Sequence, residues 1–580
     1  MELLTQKALK NAQHKLLGDN AMQDKESARK ARLAISTFQI MSSAFLLRGY
    51  YRFSGKTGQT LENALRNLDP EIYGSMNDSR ITELKGLEYV LDRLPKGIEQ
   101  CNRIVMMAHE DLKGTSFEEI IPPKRRRLSY RVGDHEMSIV VSRGSSEVYD
   151  ILTHLTFLYI EAKKIYSNVR DEEENLSREW KRLEDHVNHD GELADAELDK
   201  ALWDLSIILG RTFQETKETY AYMQKNKAES NSSNGLFHVI YSLGRLIERE
   251  KDNGELVEVR FTPSLIGVIM NQIYGKRWAI AIKEKLTKRG LLDRPLHIIS
   301  ANLHSVLNLL YGYETFKGEL SKSSKNDIYK SVQHFSDRAD EIKKVAEKSG
   351  FQELQDESGF QINYQIIDAA RLDAVEIHPA VRISKQIMNV EKPVLLVMDY
   401  AFGTQAFEAM DELLRPWQHE GSERKLNVQS ISVMGKAGTL SGLKGDIMLA
   451  TAHVLEGTPH NYSVDGDLTA QDFEADVNVF VGPIITVLGT SLQNRDVLDK
   501  FQKTSWHAVG LEMEGGHYQR AINAAMIRGH ISKDAKLRYA YYASDNPLIS
   551  GQTLAAGAMG EVGIRPTYMI AKVILEKILS

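Results

Sequence analysis

The sequence predicts an α/β protein in two parts, a mostly helical region over residues 1–290 and a region of alternating strands and helices over 291–580. Three observations predict this. The 580 residues exceed what one hydrophobic core usually serves. Apolar residues recur at three- and four-residue spacing through most of the first part. From residue 295 the text changes to short apolar runs, each followed by a turn and then by helical periodicity.

In the first part, "KARLAISTFQIMSSAFLLRGYYRF", "EVYDILTHLTFLYIEAKKIY" and "ALWDLSIILGRTFQETKETYAYM" read as helices. One hairpin interrupts them, "RLSYRVGDHEMSIVV", with Gly133-Asp134 between two extended runs. "NKAESNSSNG" (226–235) is a polar loop, and helices resume through "KRWAIAIKEKLTKRG". In the second part, "LHIISA" reads as a buried strand and "NLHSVLNLLYGYETF" as its helix. A long charged helix is expected over 327–348. "PVLLVMD" is a strand, "YAFGTQ" a turn and "AFEAMDELLRPW" a helix. "VQSISVMG", "GDIMLATA", "NVFVGPIITVLG", "WHAVGLEME" and "LRYAYYASD" read as further strands, and "RPTYMIAKVILEKILS" as a closing amphipathic helix. The alternation implies a mixed or mostly parallel sheet, in which ligands bind beyond the carboxyl ends of strands.

Composition excludes several classes. Hydrophobic residues at 42% and charged residues at 26% are those of a soluble globular protein. With a net charge of -6 and a pI near 6.3, the chain is not basic enough for a general nucleic-acid or anionic-membrane binder. The run "PPKRRRLSY" (122–130) is short and isolated, and reads as a solvated loop or an inter-subunit contact. Cys101 is the only cysteine, so no internal disulfide framework or Cys-rich zinc site is possible. No HExxH or clustered His/Cys pattern occurs, and His135, His154, His186 and His189 read as ordinary surface or core histidines. Neither a metal nor an organic cofactor is expected. The first residues are charged throughout, and the apolar stretch 35–47 is too short and too polar to span a bilayer. The expectation is a cytoplasmic protein without membrane or nucleic-acid partners.

The common phosphate loops GxxxxGK[ST] and GxGxxG after a strand are absent, as is a GxSxG elbow. Four strand-end stretches carry polar chemistry. "MDYAFGTQAF" sets Gly403, Thr404 and Gln405 at a helix start, where free N–H groups can hold an anion or water, although such turns also arise for backbone reasons alone. In "VMGKAGTLSGLKGDIMLA" a strand is expected to end at Gly435-Lys436-Ala437-Gly438 and a new one to begin at Gly445-Asp446. The glycines permit close approach to a flat ligand and Lys436 offers charge to a phosphate; a plain glycine turn with an exposed lysine is equally consistent. "GLEMEGG" places Glu512 and Glu514 at i and i+2, on one side of a strand, suited to a cis-diol or to a solvated turn. "LRYAYYASDNPL" ends a strand with Asp545, which can hold or donate a proton in a dry pocket, or simply cap a turn.

Taken in order, "GKAG…GDIMLA", "GLEMEGG" and "YASD" resemble the nucleoside phosphorylase/nucleosidase superfamily, which includes purine nucleoside phosphorylases, methylthioadenosine/adenosylhomocysteine nucleosidases and AMP nucleosidases. The resemblance covers about 295–580, with its specific motifs within 400–547. It implies a phosphorylase-like three-layer domain with a mixed sheet, and cleavage of the N-glycosidic bond of a purine nucleoside or nucleotide. By the same resemblance, Glu514 would bind the ribose hydroxyls, Met513 would pack on the sugar, Glu512 would support, and Asp545 would protonate N7 of the base. Gly438 would lie along the base or sugar edge, and the Gly403-Thr404-Gln405 turn on the phosphate or water side. Homo-oligomers are implied too, since relatives complete their sites between subunits.

The chain departs from the pattern in several places. "SANLHS", with Asn302, His304 and Ser305, stands where relatives carry a GDPxR phosphate motif, and the GAMxxE of nucleosidases has no counterpart. Lys436 replaces a small polar residue or histidine and would bind phosphate or a 5′-phosphate. "SGQTLAAGAMGEVGIRP" (550–566) reads as a lid carrying Arg565 toward Asp545 or a phosphate, or as a flexible connector. A long helical extension before the domain is most like AMP nucleosidase. Hydrolysis of a nucleotide is slightly favoured over phosphorolysis, because the phosphorylase signature is absent and Lys436 could hold a 5′-phosphate. The alternative is a nucleotide-sensing module without turnover, with the helical part as scaffold or effector.

Overall fold

A computed structural model describes residues 26–112, 114–188, 194–335, 338–549 and 560–580. The chain divides into two units: Met1–Val141, Glu147–Met270 and Ser491–Lys500 form the first, and Ser142–Ser146, Asn271–Thr490 and Phe501–Ser580 the second.

In the first unit, helices are α1 (26–48), α2 (Lys56–Leu68), α3 (Leu84–Leu91), α4 (Gly144–Asn168, whose residues up to Ser146 count with the second unit), α5 (Arg178–Asn188), α6 (Asp195–Leu209), α7 (Phe213–Ser230), α8 (Leu236–Asp252) and α9 (Pro263–Met270). Local chemistry sets their ends. Thr212 and Glu215 exchange capping bonds at the start of α7, and Gly210, at φ 62°, closes α6. The helices share this unit with a sheet of which the sequence reading foresaw only the hairpin. Its strands β1 (Tyr50–Arg52), β2 (Arg103–Met107), β3 (Glu118–Ile120), β4 (Ser129–Gly133), β5 (Glu136–Val140) and β6 (Glu258–Phe261) lie in the order β1-β6-β2-β5-β4-β3. The foreseen hairpin is β4–β5. The others are runs of three to five residues, too short to show a period of their own within helical text.

The basic run is divided. The Arg127 guanidinium is buried, 3.1 Å from Glu147 and also bonded to Asp150. Lys124 and Arg126 are exposed, as expected of a solvated loop, and Lys124 meets Asp92 at 3.0 Å.

The second unit holds helices α10 (Ile273–Lys288), α11 (Leu303–Phe316), α12 (Lys322–Asn326), α13 (Ile328–Phe335), α14 (Ala339–Lys348) and α15 (Gln405–Leu414). Next come α16 (Arg495–Lys503), whose first residues count with the first unit, then α17 (Gly515–Ile527) and α18 (Ile564–Leu579). The long charged helix expected over 327–348 is instead two helices, α13 and α14. The strands are β7 (Leu296–Ser300), β8 (Phe351–Leu354), β9 (Tyr364–Asp368), β10 (Val394–Met398), a small hairpin β11 (Trp417–His419) and β12 (Ser422–Arg424), then β13 (Val428–Thr439), β14 (Ile447–Leu455), β15 (Asn461–Ser463), β16 (Val479–Thr486), β17 (Gly510–Glu512) and β18 (Lys536–Asp545).

All but the hairpin join one mixed sheet of ten strands, in the order β15-β14-β16-β17-β13-β7-β10-β9-β8, with β18 pairing both β13 and β14. Because β18 bridges these two, β13, β18, β14, β16 and β17 close on one another as a ring, and β7, β10, β9 and β8 extend it on one side. Strands β7, β10, β13 and β18 run parallel; β14, β16 and β17 run the opposite way. One large core unites α11, α13, α14 and α18 with sheet residues such as Ile299, Val397, Met434 and Ala540. Elsewhere α17 packs on α15, and the Tyr518 hydroxyl of α17 reaches Ser300 Oγ of β7 at 3.2 Å.

Candidate active site

The long strand β13 organises the site. The sequence predicts that it ends in Gly435-Lys436-Ala437-Gly438, and the strand runs through these residues to Thr439, which excludes the alternative of a glycine turn there. It continues because it has partners on both edges: β18 along 430–438 on one, and β7 followed by β17 on the other. Gly438 therefore stands opposite Asp545 of β18 on one side and Leu511 of β17 on the other. Adjacent strands lie about 4.8 Å apart, so the ends of β17 and β18 flank Gly438 at roughly 10 Å from each other.

A bulge aims Asp545. The ladder pairs Ala437 with Ala543 and the next residue, Gly438, with Asp545, so Ser544 is skipped. Ser544 Oγ lies 3.1 Å from the Ala437 carbonyl and 2.5 Å from Asp545 Oδ1. Asp545 is only 3% exposed, and its Oδ2 has no hydrogen-bond partner among the described residues. Burial pushes its pKa above the usual aspartate value, opposed by the Ser544 hydroxyl and by the charges of Lys436 and Lys444. Lys436 itself is exposed on β13.

The two glutamates of "GLEMEGG" part company, contrary to the reading of both on one face of a strand. β17 ends at Glu512, and Glu514 is already the residue preceding α17, at φ -120°, ψ -34°. Glu512 turns inward. Its Oε1 accepts from the Thr486 hydroxyl at 2.5 Å, and its Oε2 accepts from the N–H groups of Glu514, at 2.5 Å, and Gly515. Thr486 Oγ1 accepts in turn from Gly516 N–H at 2.9 Å. These strand-end oxygens thus satisfy the first free N–H groups of α17. Burial opposes the charge of Glu512, but His453, the Gly515 N–H and the Thr486 hydroxyl outweigh it and hold the carboxyl below its usual range. The glycine pair is a packing requirement: a Cβ on Gly516 would sit 2.6 Å from Thr486 Oγ1, and one on Gly515 would strike His453 and Tyr541.

Glu514 points elsewhere, its Oε1 accepting from Gly403 N–H at 2.9 Å. Gly403 has φ 54°, and the Met513 methyl lies 3.9 Å from where its Cβ would be. Thr404 is bonded to Ser146, from the segment Ser142–Ser146 that belongs to this unit. Gln405 is inside the fold: its side chain accepts from Phe402 N–H at 3.0 Å and donates to the Phe360 carbonyl at 2.6 Å.

The structure thus brings Gly403, Thr404, Met513 and Glu514 together, and gathers Lys436, Gly438 and Asp545 around β13. Asn302 caps α11, accepting from Ser305 N–H at 2.8 Å, and hydrogen-bonds the Tyr400 hydroxyl. His304 is engaged with the Tyr568 hydroxyl at 3.1 Å, and burial lowers its pKa. Arg565 does not join Asp545; its guanidinium meets Glu474 at 2.8 Å and Asp476 at 2.7 Å. Residues 550–559 of the expected lid lie outside the described residues, as does His189.

Sequence reasoning missed several neighbours. Ser146 carries no local signal, lying 258 residues before Thr404. Asp399 directly follows β10 inside "MDYAFGTQAF"; burial raises its pKa, opposed by the Tyr400 N–H and the nearby Arg143 charge. The exposed Tyr400 ring lies 3.5 Å from where a Gly435 Cβ would be. His453 is fully buried on β14, 3.5 Å from Glu512. Among the described residues there is no group of three His, Cys, Asp or Glu able to hold a metal ion, and no helix long and apolar enough to cross a membrane.

The fold and site define a mixed-sheet α/β protein with acidic groups at its strand ends. The chain belongs to a family of unknown function, DUF6909, whose model matches residues 59–239 and 314–580. No curated protein matches it. Similar solved structures are nucleosidases and nucleoside phosphorylases, each over about half the chain. A futalosine hydrolase mutant of Helicobacter pylori is 12% identical, covering 49% of this chain and 98% of its own, with a TM-score of 0.29. A uridine phosphorylase of Schistosoma mansoni is 11% identical, covering 49% and 88%, with a TM-score of 0.28. A purine nucleoside phosphorylase of Toxoplasma gondii in complex with immucillin-H is 12% identical, covering 50% and 91%, with a TM-score of 0.26.

Proposed function

We propose that the second unit cleaves the N-glycosidic bond of a purine nucleoside or nucleotide, and that the nucleophile is water. The observation that carries this reading is the register at Gly438, which sets a buried acid of raised pKa, Asp545, and the end of the "GLEME" strand on opposite sides of one glycine. Breaking the bond between C1′ and the base leaves the electron pair on the base and positive charge on the sugar. A neutral Asp545 would donate its proton to N7 and relieve the negative charge on the leaving base, an effect typically of 10²–10⁴-fold in rate. Glu514, already fixed through Gly403, would accept hydrogen bonds from the ribose 2′- and 3′-hydroxyls. Glu512 supports the start of α17 and takes no direct part. Lys436, exposed beside Asp545, would receive a 5′-phosphate. Water is favoured over phosphate because the sequence lacks the GDPxR phosphate motif.

The test is incubation of the full chain with purine nucleosides and nucleotides, with and without inorganic phosphate, followed by identification of products. Free base with ribose or ribose 5-phosphate is expected. Sugar 1-phosphate would overturn the choice of water, and absence of free base from every substrate would overturn the glycosidase reading.

A further inference from the structure

We propose that Ser146 is a positioning residue for Glu514, an inference that rests on the reading of Glu514 as the sugar-binding acid. Ser146 and Thr404 are joined by three hydrogen bonds. Thr404 N–H donates to Ser146 Oγ at 2.9 Å, the Ser146 hydroxyl donates to Thr404 Oγ1 at 3.0 Å, and Ser146 N–H donates to Thr404 Oγ1 at 3.2 Å. Both residues stand at helix starts, where backbone N–H groups lack partners within the helix. Thr404 precedes α15 but makes no side-chain cap to that helix; its hydroxyl is spent on Ser146 instead. Ser146, in the first turn of α4, has its own N–H satisfied in return.

Between this clasp and the carboxylate lies a single residue. Gly403 is held at φ 54°, and its N–H donates to Glu514 Oε1. Ser146 packs directly against it, since a Cβ on Gly403 would lie 2.7 Å from Ser146 Cβ and closer still to its hydroxyl. Glu514 makes no side-chain cap to α17, and the Gly403 N–H holds its Oε1 from the side of this clasp. Removing the Ser146 hydroxyl deletes two of the three bonds and frees the Gly403–Thr404 turn. The Glu514 carboxylate then loses a fixed donor on Oε1. It follows that a catalytic fragment begun near residue 291 would lack part of its sugar site, because Ser142–Ser146 belongs to the same unit.

The experiment uses the full chain carrying Ser146→Ala or Ser146→Thr, with Thr404→Val as a second route to breaking the clasp if Ser146→Ala does not fold. Two readouts are taken: kcat and KM on purine ribonucleosides against their 2′-deoxy analogues, and deuterium exchange of the 401–405 segment. Ser146→Ala should raise KM on ribonucleosides roughly ten-fold, as expected for loss of one charge-assisted hydrogen bond, with a smaller change on 2′-deoxy substrates. Ser146→Thr, which retains a hydroxyl, should recover most of the loss. Exchange at Gly403 should accelerate in Ser146→Ala and in Glu514→Gln alike. Equal KM changes on both sugars, or unaltered exchange at Gly403, would overturn the proposal. If the wild-type chain releases no base, the glycosidase reading fails while the exchange result still decides the positioning role. Faster exchange in both variants sustains it and unchanged exchange rejects it.

Discussion

Asp545 faces Gly438 across the parallel ladder of β18 and β13, and the ladder reaches that pairing only by skipping Ser544. The bulge places the carboxyl in a buried position with one oxygen bonded to Ser544 and the other without a partner among the described residues. A polar atom buried without a partner costs stability and calls for an explanation, and proton donation is the one proposed here.

Asp545→Asn removes the proton and retains the shape. Base release should fall by about 10²–10⁴-fold, with no loss of folded protein by circular dichroism. Wild-type turnover in this variant would remove Asp545 from the mechanism.

The raised pKa of Asp545 also carries a stability signature. The folded chain retains a proton that the unfolded chain releases between the ordinary aspartate value and the raised one. The stability contributed by this group is therefore complete below about pH 4 and is lost as pH rises through the folded value. At pH 7 Asp545→Asn should match or exceed the wild type in thermal unfolding, with the advantage vanishing near pH 4. A variant less stable at pH 7 than at pH 4, relative to wild type, would contradict this sign.

Glu514→Gln should weaken the grip on the diol. The loss in kcat/KM on ribonucleosides should be roughly 10–100-fold, the worth of a hydrogen bond to a charged group, and clearly smaller on 2′-deoxy substrates. Steady-state kinetics on matched substrate pairs provide the comparison.

Glu512→Gln should act on folding. A glutamine offers one acceptor oxygen where the structure uses two, on Thr486, Glu514 N–H and Gly515 N–H. A cost of about 2–4 kcal/mol is expected in denaturant unfolding at pH 7. Because the folded pKa of Glu512 is lowered, its stabilisation is present above the ordinary glutamate value and fades as pH falls through the folded one. The gap between variant and wild type should therefore narrow in acid.

Much of the second unit was legible in the sequence. The strand Val394–Met398 is an uninterrupted apolar run and Lys536–Asp545 is rich in tyrosine and closed by Ser544-Asp545, and such patterns are local. The first-unit sheet was not legible, because strands of three to five residues gain their identity from partners that are remote in the chain.

By itself, then, the sequence determined the α/β character, the strand ends that carry Glu512 and Asp545, and the turn that carries Gly403 and Thr404. Only the tertiary structure decided how those residues are used. Pairing on both edges of β13 decided between a strand end and a glycine turn at "GKAG", and the burial of Glu512 beside Thr486 separated it from Glu514. Ser146 joined the site by a contact 258 residues long. The physical reason is the same in each case: propensity and periodicity act within a few residues, whereas register, burial and hydrogen-bond partners are set by what the folded chain brings alongside.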